Sequence, residues 1–400
     1  MAKEYLTVKN IALKNKRVLV RVDFNVPLTK DGRIRNDKRI KAALPTINYI
    51  LSKNPKYVIL ISHLGKPKGM YVKSLSLKPV ATRLSNLLKQ KVSFVDNYLS
   101  SGLVNQSQSC KVILLENLRF HAGEELNDKK FAKHLSRLAD VYINDAFGTA
   151  HRKHASVDAI TNYLPSAIGL LFEKELKAIH AVITKPKKPL IAIIGAAKIS
   201  DKIHILKNLF NKTDKVILAG GIVFTFLKAL GYEVGKSLTD DASLDIAQKL
   251  YKKYKHKLIM PLDFTVADNF ENPGIIKQVP FDNIPANLSA YDIGKASVKL
   301  FKHELNNAKT IIWNGPLGMY EYKPFDSSTR NIAKYISSLN AVTIIGGGDT
   351  ASAISKFRLD DKMYHVSTGG GAFLKALEGK DLIAMKSIKR SYIKFYVNKK

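Results

Sequence analysis

The stretch Ala341-Val342-Thr343-Ile344-Ile345-Gly346-Gly347-Gly348-Asp349-Thr350 is a β-rich apolar run that stops at a glycine triplet, and Tyr364-His365-Val366-Ser367-Thr368-Gly369-Gly370-Gly371-Ala372 repeats the pattern. Each reads as a buried strand breaking into a glycine turn. Glycine lets backbone N–H groups approach an anion with no Cβ in the way, and a helix that starts at the turn adds its positive end. Two such turns on neighbouring strands predict a phosphate-bearing ligand.

Outward from these strands, short apolar runs recur along the chain: Val18 to Phe24, Tyr57 to Ser62, Val112 to Leu115, Val141 to Ile143, Leu190 to Ile194, Val216 to Ala219, Leu258 to Met260 and Thr310 to Trp313. Helix-like segments such as Phe131 to Ala139 and Ala242 to Tyr254 lie between them. Alternation of strand and helix places the chain in the α/β class, with parallel sheets covered by helices. Such sheets bind ligands beyond the carboxyl ends of their strands. A chain of 400 residues exceeds what one core usually serves, so two domains are expected. The division falls at Thr184-Lys185-Pro186-Lys187-Lys188-Pro189, which cannot continue the helical pattern of Ile168 to Ile183.

Composition narrows the function. The one cysteine, Cys110, cannot form an internal disulfide, and the chain begins without an apolar signal region, so a reducing cytoplasmic setting is expected. No apolar run reaches the roughly 18 residues of a membrane span. The net charge of +32 raises nucleic-acid binding. However, the excess is mostly lysine spread over the whole length, without the clustered arginine and interleaved aromatics that such binding uses.

In the second half, Ile191-Ala192-Ile193-Ile194-Gly195-Ala196-Ala197-Lys198-Ile199-Ser200-Asp201-Lys202 reads as a strand followed by a helix whose first turn carries Lys198 and Lys202 on one face. Ala219-Gly220-Gly221 lines the same edge. The loop Trp313-Asn314-Gly315-Pro316-Leu317-Gly318-Met319-Tyr320-Glu321 adds Glu321, a carboxylate suited to a ribose. Asp349, after the first triplet, suits Mg²⁺ beside substrate phosphates and also suits an N-cap, two compatible roles. Gly346-x-Gly348-x-x-Ala351 also fits a dinucleotide pattern, but the acidic residue that pattern wants after the next strand is replaced by Ser367, Thr368 and Gly369. No G-x-x-x-x-G-K-[ST] loop occurs.

The first half carries different chemistry. Asp23 and Asn25 end its first strand in Arg21-Val22-Asp23-Phe24-Asn25-Val26-Pro27. Other strand ends carry Arg39, then His63 and Lys66 in Ser62-His63-Leu64-Gly65-Lys66-Pro67, Arg119 in Glu116-Asn117-Leu118-Arg119-Phe120, and His151 and Arg152 after Asn144-Asp145-Ala146-Phe147-Gly148-Thr149-Ala150. Lysine suffices for solvated charge, whereas arginine's planar fork recognises anions bidentately. A basic pocket for a small anion follows.

Over nearly all of its length the chain resembles phosphoglycerate kinase. The resemblance rests on Arg21 to Pro27, Ser62 to Pro67, Leu115 to Phe120, Asn144 to Ser156, Gly195 to Lys202, Trp313 to Glu321, Gly346 to Thr350 and Ser367 to Ala372. It implies two domains, each a parallel sheet with helices on both faces in a Rossmann-like three-layer arrangement, joined by a hinge helix. The implied layout is 1–170 for a 3-phosphoglycerate-binding domain, 171–188 for hinge helix and linker, 189–380 for a Mg-nucleotide-binding domain, and 381–400 for a tail returning to the N-terminal domain.

The implied reaction is reversible transfer of the acyl phosphate of 1,3-bisphosphoglycerate to Mg-ADP, giving 3-phosphoglycerate and ATP in glycolysis. It runs in a cytoplasmic monomer after domain closure, with no nucleic-acid or membrane partner. By the resemblance, Asp23, Asn25, Arg39, His63, Lys66, Arg119, His151 and Arg152 face 3-phosphoglycerate. Lys198, Lys202, Gly220, Gly221, Ala290, Asn314, Pro316, Glu321, Gly346, Gly347, Gly348, Asp349 and Thr350 face the nucleotide, Asp349 also taking Mg²⁺. Arg39, Lys198, Lys202 and the N–H groups of Gly347 and Gly370 would stabilise the moving phosphoryl group.

The chain departs from the family pattern at a few positions. Lys66 stands where the family has an arginine for the substrate's 3-phosphate, Ala196 and Ala219 stand where it has glycines, and Ala290 to Lys295 keeps only Asp292-Ile293-Gly294 of a longer motif. The segment Lys389 to Lys400 extends past the usual terminus with alternating basic and apolar residues. It suits either an anionic surface or packing against the N-terminal domain.

Overall fold

Strands such as Tyr57–Ile61 and Val112–Leu115 are buried along their whole length, the signature of parallel strands covered on both sides. The computed structural model describes residues 5–29, 31–99, 110–200 and 202–398. The first four residues, Lys30, residues 100–109, Asp201 and the terminal Lys399 and Lys400 therefore lie outside the description. The chain divides into two units, residues 1–177 with 381–400, and residues 178–380. The division falls inside the helix Leu170–Ile183.

In the first unit the strands are β1 (Leu6–Thr7), β2 (Arg17–Arg21), β3 (Tyr57–Ile61), β4 (Val92–Val95), β5 (Val112–Leu115), β6 (Val141–Asn144) and β7 (Ser166–Ile168). They form one parallel sheet in the order β1-β7-β6-β2-β3-β5-β4. The chain leaves β2 for β3 on one side and later returns to β6 on the other. The ends of β2 and β6 therefore flank the topological switch point, where such sheets bind ligands. The helix Lys38–Leu51 shows how the faces are covered. Ile40, Ala43, Ile47 and Ile50 recur at helical spacing and are fully buried in the core with Val18, Val20, Val58 and Leu60.

The tail helix Ile383–Tyr392 buries Ala384, Ser387, Ile388 and Ser391 against this same unit. Asp158 anchors it, accepting from Ser387 Oγ at 2.6 Å and from Arg390 Nη2 at 2.8 Å.

In the second unit the strands are β8 (Leu190–Gly195), β9 (Lys215–Ala219), β10 (Leu258–Ile259), β11 (Asp263–Ala267), β12 (Ile276–Pro280), β13 (Ser289–Ile293), β14 (Thr310–Asn314), β15 (Val342–Gly346) and β16 (His365–Val366). Six of them form a parallel sheet, β10-β9-β8-β14-β15-β16, whose switch point lies between β8 and β14. The other three form an antiparallel sheet, β12-β11-β13.

The expected parallel sheets are present in both units, flanked by helices, and every apolar run quoted from the sequence contains a strand. The antiparallel sheet is an addition to that expectation. Its edge strand β12, Ile276-Lys277-Gln278-Val279-Pro280, is mostly exposed, so no apolar run marked it.

Candidate active site

At the carboxyl edge of the first unit's sheet, arginines do most of the work. Arg21, the last residue of β2, is fully buried. Its Nε donates to Ser156 Oγ at 2.9 Å, Nη1 donates to the Val22 carbonyl, and Nη2 lies 3.1 Å from His63 Nδ1. Arg39, in the first turn of Lys38–Leu51, donates from Nη1 to both Asp23 carboxylate oxygens at 2.9 Å. Asp23 Oδ1 also accepts from Asn25 N, and Asn25 Oδ1 accepts from Gly65 N at 2.9 Å. These bonds tie the β2 and β3 loops together.

Arg119 sits in a short 3₁₀ turn after β5 and is buried, with Nη1 donating to the Gly65 carbonyl at 2.6 Å. Its Nε is an ion-pair distance of 3.2 Å from Glu125 without hydrogen-bond alignment, and Nη2 has no hydrogen-bond partner among the described residues. A buried guanidinium with donors to spare suits an incoming anion.

Electrostatics show that these groups share one field. Burial, then Arg21, Arg119, Arg152 and Arg39, holds the His63 imidazole well below its ordinary pKa. Burial, then Arg119, Arg21, Arg152 and His151, pushes His154 down to about 3. Burial first, and then the surrounding cations, keep both histidines neutral at pH 7, and those cations are the surroundings a multiply charged anion needs. His151 and Arg152 are half-buried beside this cluster, whereas Lys66 is exposed. Sequence reasoning did not assign Arg21, Glu124, His154 or Ser156. Only Arg21, a charge closing an apolar strand, carried a signal.

In the second unit a cleft of about 820 Å³ opens at the switch point of the parallel sheet. Its walls come from the turns after β8 (Gly195, Ala196, Ala197), β9 (Gly220, Gly221), β14 (Asn314 to Met319), β15 (Gly347 to Thr350) and β16 (Gly370, Gly371). Phe224, Leu238, Phe264 and Ser289 to Ile293 line it too. The turns approach backbone to backbone. A Cβ on Gly195 would overlap the Pro316 carbonyl, and Gly315, at φ +92°, faces Gly195 in return. Gly347, also at φ +92°, has space for no Cβ, since one would lie 2.6 Å from Asn314 Nδ2.

The helices Gly348–Lys356 and Gly370–Leu377 begin at this cleft, presenting N–H groups and positive dipole ends. Asn314, at the end of β14, accepts at Oδ1 from Lys202 Nζ at 2.8 Å, while its buried Nδ2 has no partner among the described residues. Thr350 Oγ1 accepts from Gly315 N at 2.6 Å, fixing the β14 loop to the next helix. Asp349 lines the cleft in the first helical turn. Its N-cap reading is corrected, because the cap position belongs to Gly347. Among the described residues no group of three or more His, Cys, Asp or Glu side chains could hold a metal. A lone carboxylate beside a glycine turn nevertheless fits Mg²⁺, which takes few protein oxygens and fills its shell from phosphates and water.

Other sequence-based placements shift. The helix after β8 starts at Ile203, so Lys198 and Lys202 precede it rather than share its face. Lys202 lines the cleft, while Lys198 is exposed and does not line it. Glu321 is exposed and outside the lining, and Gly346 lies behind it, where a Cβ would overlap the Phe373 ring. Gly220, Gly221, Ala290, Asn314, Pro316, Gly347, Gly348, Asp349, Thr350 and Gly370 all line the cleft.

A family model described as Phosphoglycerate kinase matches residues 8–380. The chain is 48% identical over 394 residues to a phosphoglycerate kinase of Pelotomaculum thermopropionicum, covering 97% of this chain and 99% of the relative. It is 50% identical over 378 residues to one of Rippkaea orientalis, covering 92% and 94%. A solved phosphoglycerate kinase structure from Coxiella burnetii superposes with a TM-score of 0.86 at 39% identity, covering 98% of this chain and all of that one.

Proposed function

The chain belongs to the phosphoglycerate kinase family, and we propose on that premise that its two switch points divide the substrates between them. The family's reaction is the glycolytic one, reversible phosphoryl transfer between 1,3-bisphosphoglycerate and ADP that yields 3-phosphoglycerate and ATP. The observation that carries the division is a contrast in donors. A cation cluster around buried Arg21 and Arg119 crowns one sheet, and glycine turns with two helix N-termini crown the other. The first suits a small, multiply charged carboxylate phosphate; the second suits a nucleotide polyphosphate.

On this reading Arg39, Arg119, His63, His151, Arg152 and Lys66 bind 3-phosphoglycerate, with Asp23 and Asn25 orienting Arg39 and the β3 loop. Lys202, Asn314, Thr350 and the turns of Gly220, Gly221, Gly347 and Gly348 receive the nucleotide phosphates, with Gly346 supporting the last turn from behind, against Phe373. Ala290 and Pro316 line the remaining wall. Glu321 takes the ribose edge from outside the lining. Asp349 would hold Mg²⁺, which when bound supplies charge neutralisation on the nucleotide phosphates. We place the protein in the cytoplasm as a monomer that acts on small anions.

Neither direction requires a general base from the protein, since the nucleophile is a carboxylate or an ADP oxygen. The residues have to align the reactants and neutralise charge on the moving group. Arg39 from one side and Lys198 and Lys202 from the other fill that role with the Gly347 and Gly370 N–H groups, in a state in which the two bound ligands meet.

A coupled assay with 3-phosphoglycerate, ATP and Mg²⁺ tests the reading, and absence of ADP formation would remove it. Lys198→Ala tests the transfer role. We expect kcat to fall about a hundredfold or more with ADP affinity little changed, as for other lost transition-state donors. An unchanged kcat would take Lys198 out of the mechanism.

A further inference from the structure

Behind the cation cluster runs a buried polar chain that substrate contact alone does not explain. Glu124, in the short helix Ala122–Glu125, is fully buried. Its Oε2 accepts from Ser156 N at 2.9 Å, and its Oε1 accepts from Ser156 Oγ at 2.6 Å. A hydroxyl has one proton, so a Ser156 Oγ that donates to Glu124 is left as an acceptor, and Arg21 Nε donates to it at 2.9 Å. Arg21 in turn presents Nη2 to His63 Nδ1 at 3.1 Å.

The direction of the chain is therefore set from one end. A guanidinium has no acceptor to offer, so His63 Nδ1 must accept. A neutral imidazole carries one proton, which leaves it on Nε2. Removing the carboxylate frees the Ser156 hydroxyl to turn, and its proton can then oppose Arg21 Nε. The guanidinium orientation that selects the His63 tautomer loses its support.

We propose that Glu124 is a positioning residue for substrate binding: through Ser156 and Arg21 it fixes His63 as the Nε2-protonated tautomer, so that the ring offers an N–H donor to the substrate anion. This rests on the placement of 3-phosphoglycerate at the first unit. The alternative is a purely structural Glu124 that only anchors the segment Ala155 to Ser156, where its main-chain oxygen also accepts from Ala155 N at 2.9 Å.

Nitrogen NMR of ¹⁵N-histidine-labelled protein separates the two, with His63→Gln used only to assign the resonance. In the unsubstituted protein His63 should show an unprotonated Nδ1 and a protonated Nε2; the reverse overturns the proposal without any further variant. In Glu124→Gln and Ser156→Ala the His63 tautomers should mix. The KM for 3-phosphoglycerate should then rise about tenfold, the size of one charge-assisted hydrogen bond, while the KM for ADP stays unchanged. Folded variants that lose thermal stability but keep the tautomer and the KM would show a structural role and overturn it. If the underlying placement is wrong, that appears separately, as a His63 resonance in the unsubstituted protein that 3-phosphoglycerate does not perturb.

Discussion

At the carboxyl edge of the seven-stranded sheet the clustered polar groups are the side chains of Arg21, Arg39, Arg119 and His63, whereas at the same edge of the six-stranded sheet they are mainly main-chain turns at Gly195, Gly220, Gly315 and Gly347. On the proposed division of substrates, each would receive phosphate at a switch point. A side-chain site has to hold its cations against one another, and it does so with interior carboxylates, Asp23 under Arg39 and Glu124 behind Arg21. The glycine turns carry only partial charges and need no counterions of their own, with Lys202 and Asp349 as charged side chains beside them, but such a site works only while the turns stay in contact. The first should therefore tolerate changes of shape and resist changes of charge, and the second should do the opposite.

The severest test of that contrast is Gly195→Ala. The added methyl would meet the Pro316 carbonyl oxygen, so neither partner can rotate away. Overpacking of this kind should cost about 3 kcal/mol or more. Denaturant unfolding should show that loss, with weakened ADP binding in the fraction that stays folded. Stability within experimental error of the parent would mean that the cleft is not set by backbone contact.

A second test uses pH. Asp292, beside the cleft, is pushed up to about 7 by burial, against hydrogen bonds from Ser328 and Ile293. Between its ordinary value near 3.8 and about 7 the folded chain keeps a proton that the unfolded chain has released. Stability should thus fall as pH rises through that window and level off above it, with a slope of up to about 1.4 kcal/mol per pH unit. Asp145 at the end of β6 is raised in the same way by burial and adds a slope of the same sign. Asp292→Asn should remove only its own share, so a pH profile identical to the parent's would show that Asp292 does not carry this proton.

Arg39→Met probes the first site. It removes the charge that Asp23 holds at 2.9 Å and leaves that carboxylate without its cation, so the KM for 3-phosphoglycerate should rise about tenfold, the worth of one charged hydrogen bond, with ADP binding unchanged. An equal loss of ADP affinity would break the division of ligands between the units.

The contrast also explains what the sequence could disclose. Glycine turns after apolar strands are local, so the runs ending at Gly195 and Gly346 already marked the edge at which the second unit's cleft opens. The network of the first unit joins residues far apart in the chain, with 135 positions between Arg21 and Ser156, and no spacing rule reveals such a pair. Lys198 and Lys202 were legible as residue types but not as geometry. An i, i+4 spacing predicts a shared face only where a helix exists, and here the helix begins at Ile203. The antiparallel sheet escaped because β12 buries too little to print an apolar pattern.

The mildest change is Lys66→Arg. Lys66 follows Gly65, whose carbonyl accepts from Arg119 and whose N–H donates to Asn25, so its backbone is held from both sides while its side chain remains exposed. An exposed charge is screened by water and salt, so restoring the planar fork should add only a fraction of a buried contact, at most about 1 kcal/mol or a fivefold tightening for 3-phosphoglycerate. The gain should shrink as salt is raised, which a titration at two ionic strengths would show. A tenfold or greater loss would instead mean that the first site has been rebuilt around a point charge. A side-chain site would then be less tolerant of shape than the contrast with the glycine turns requires.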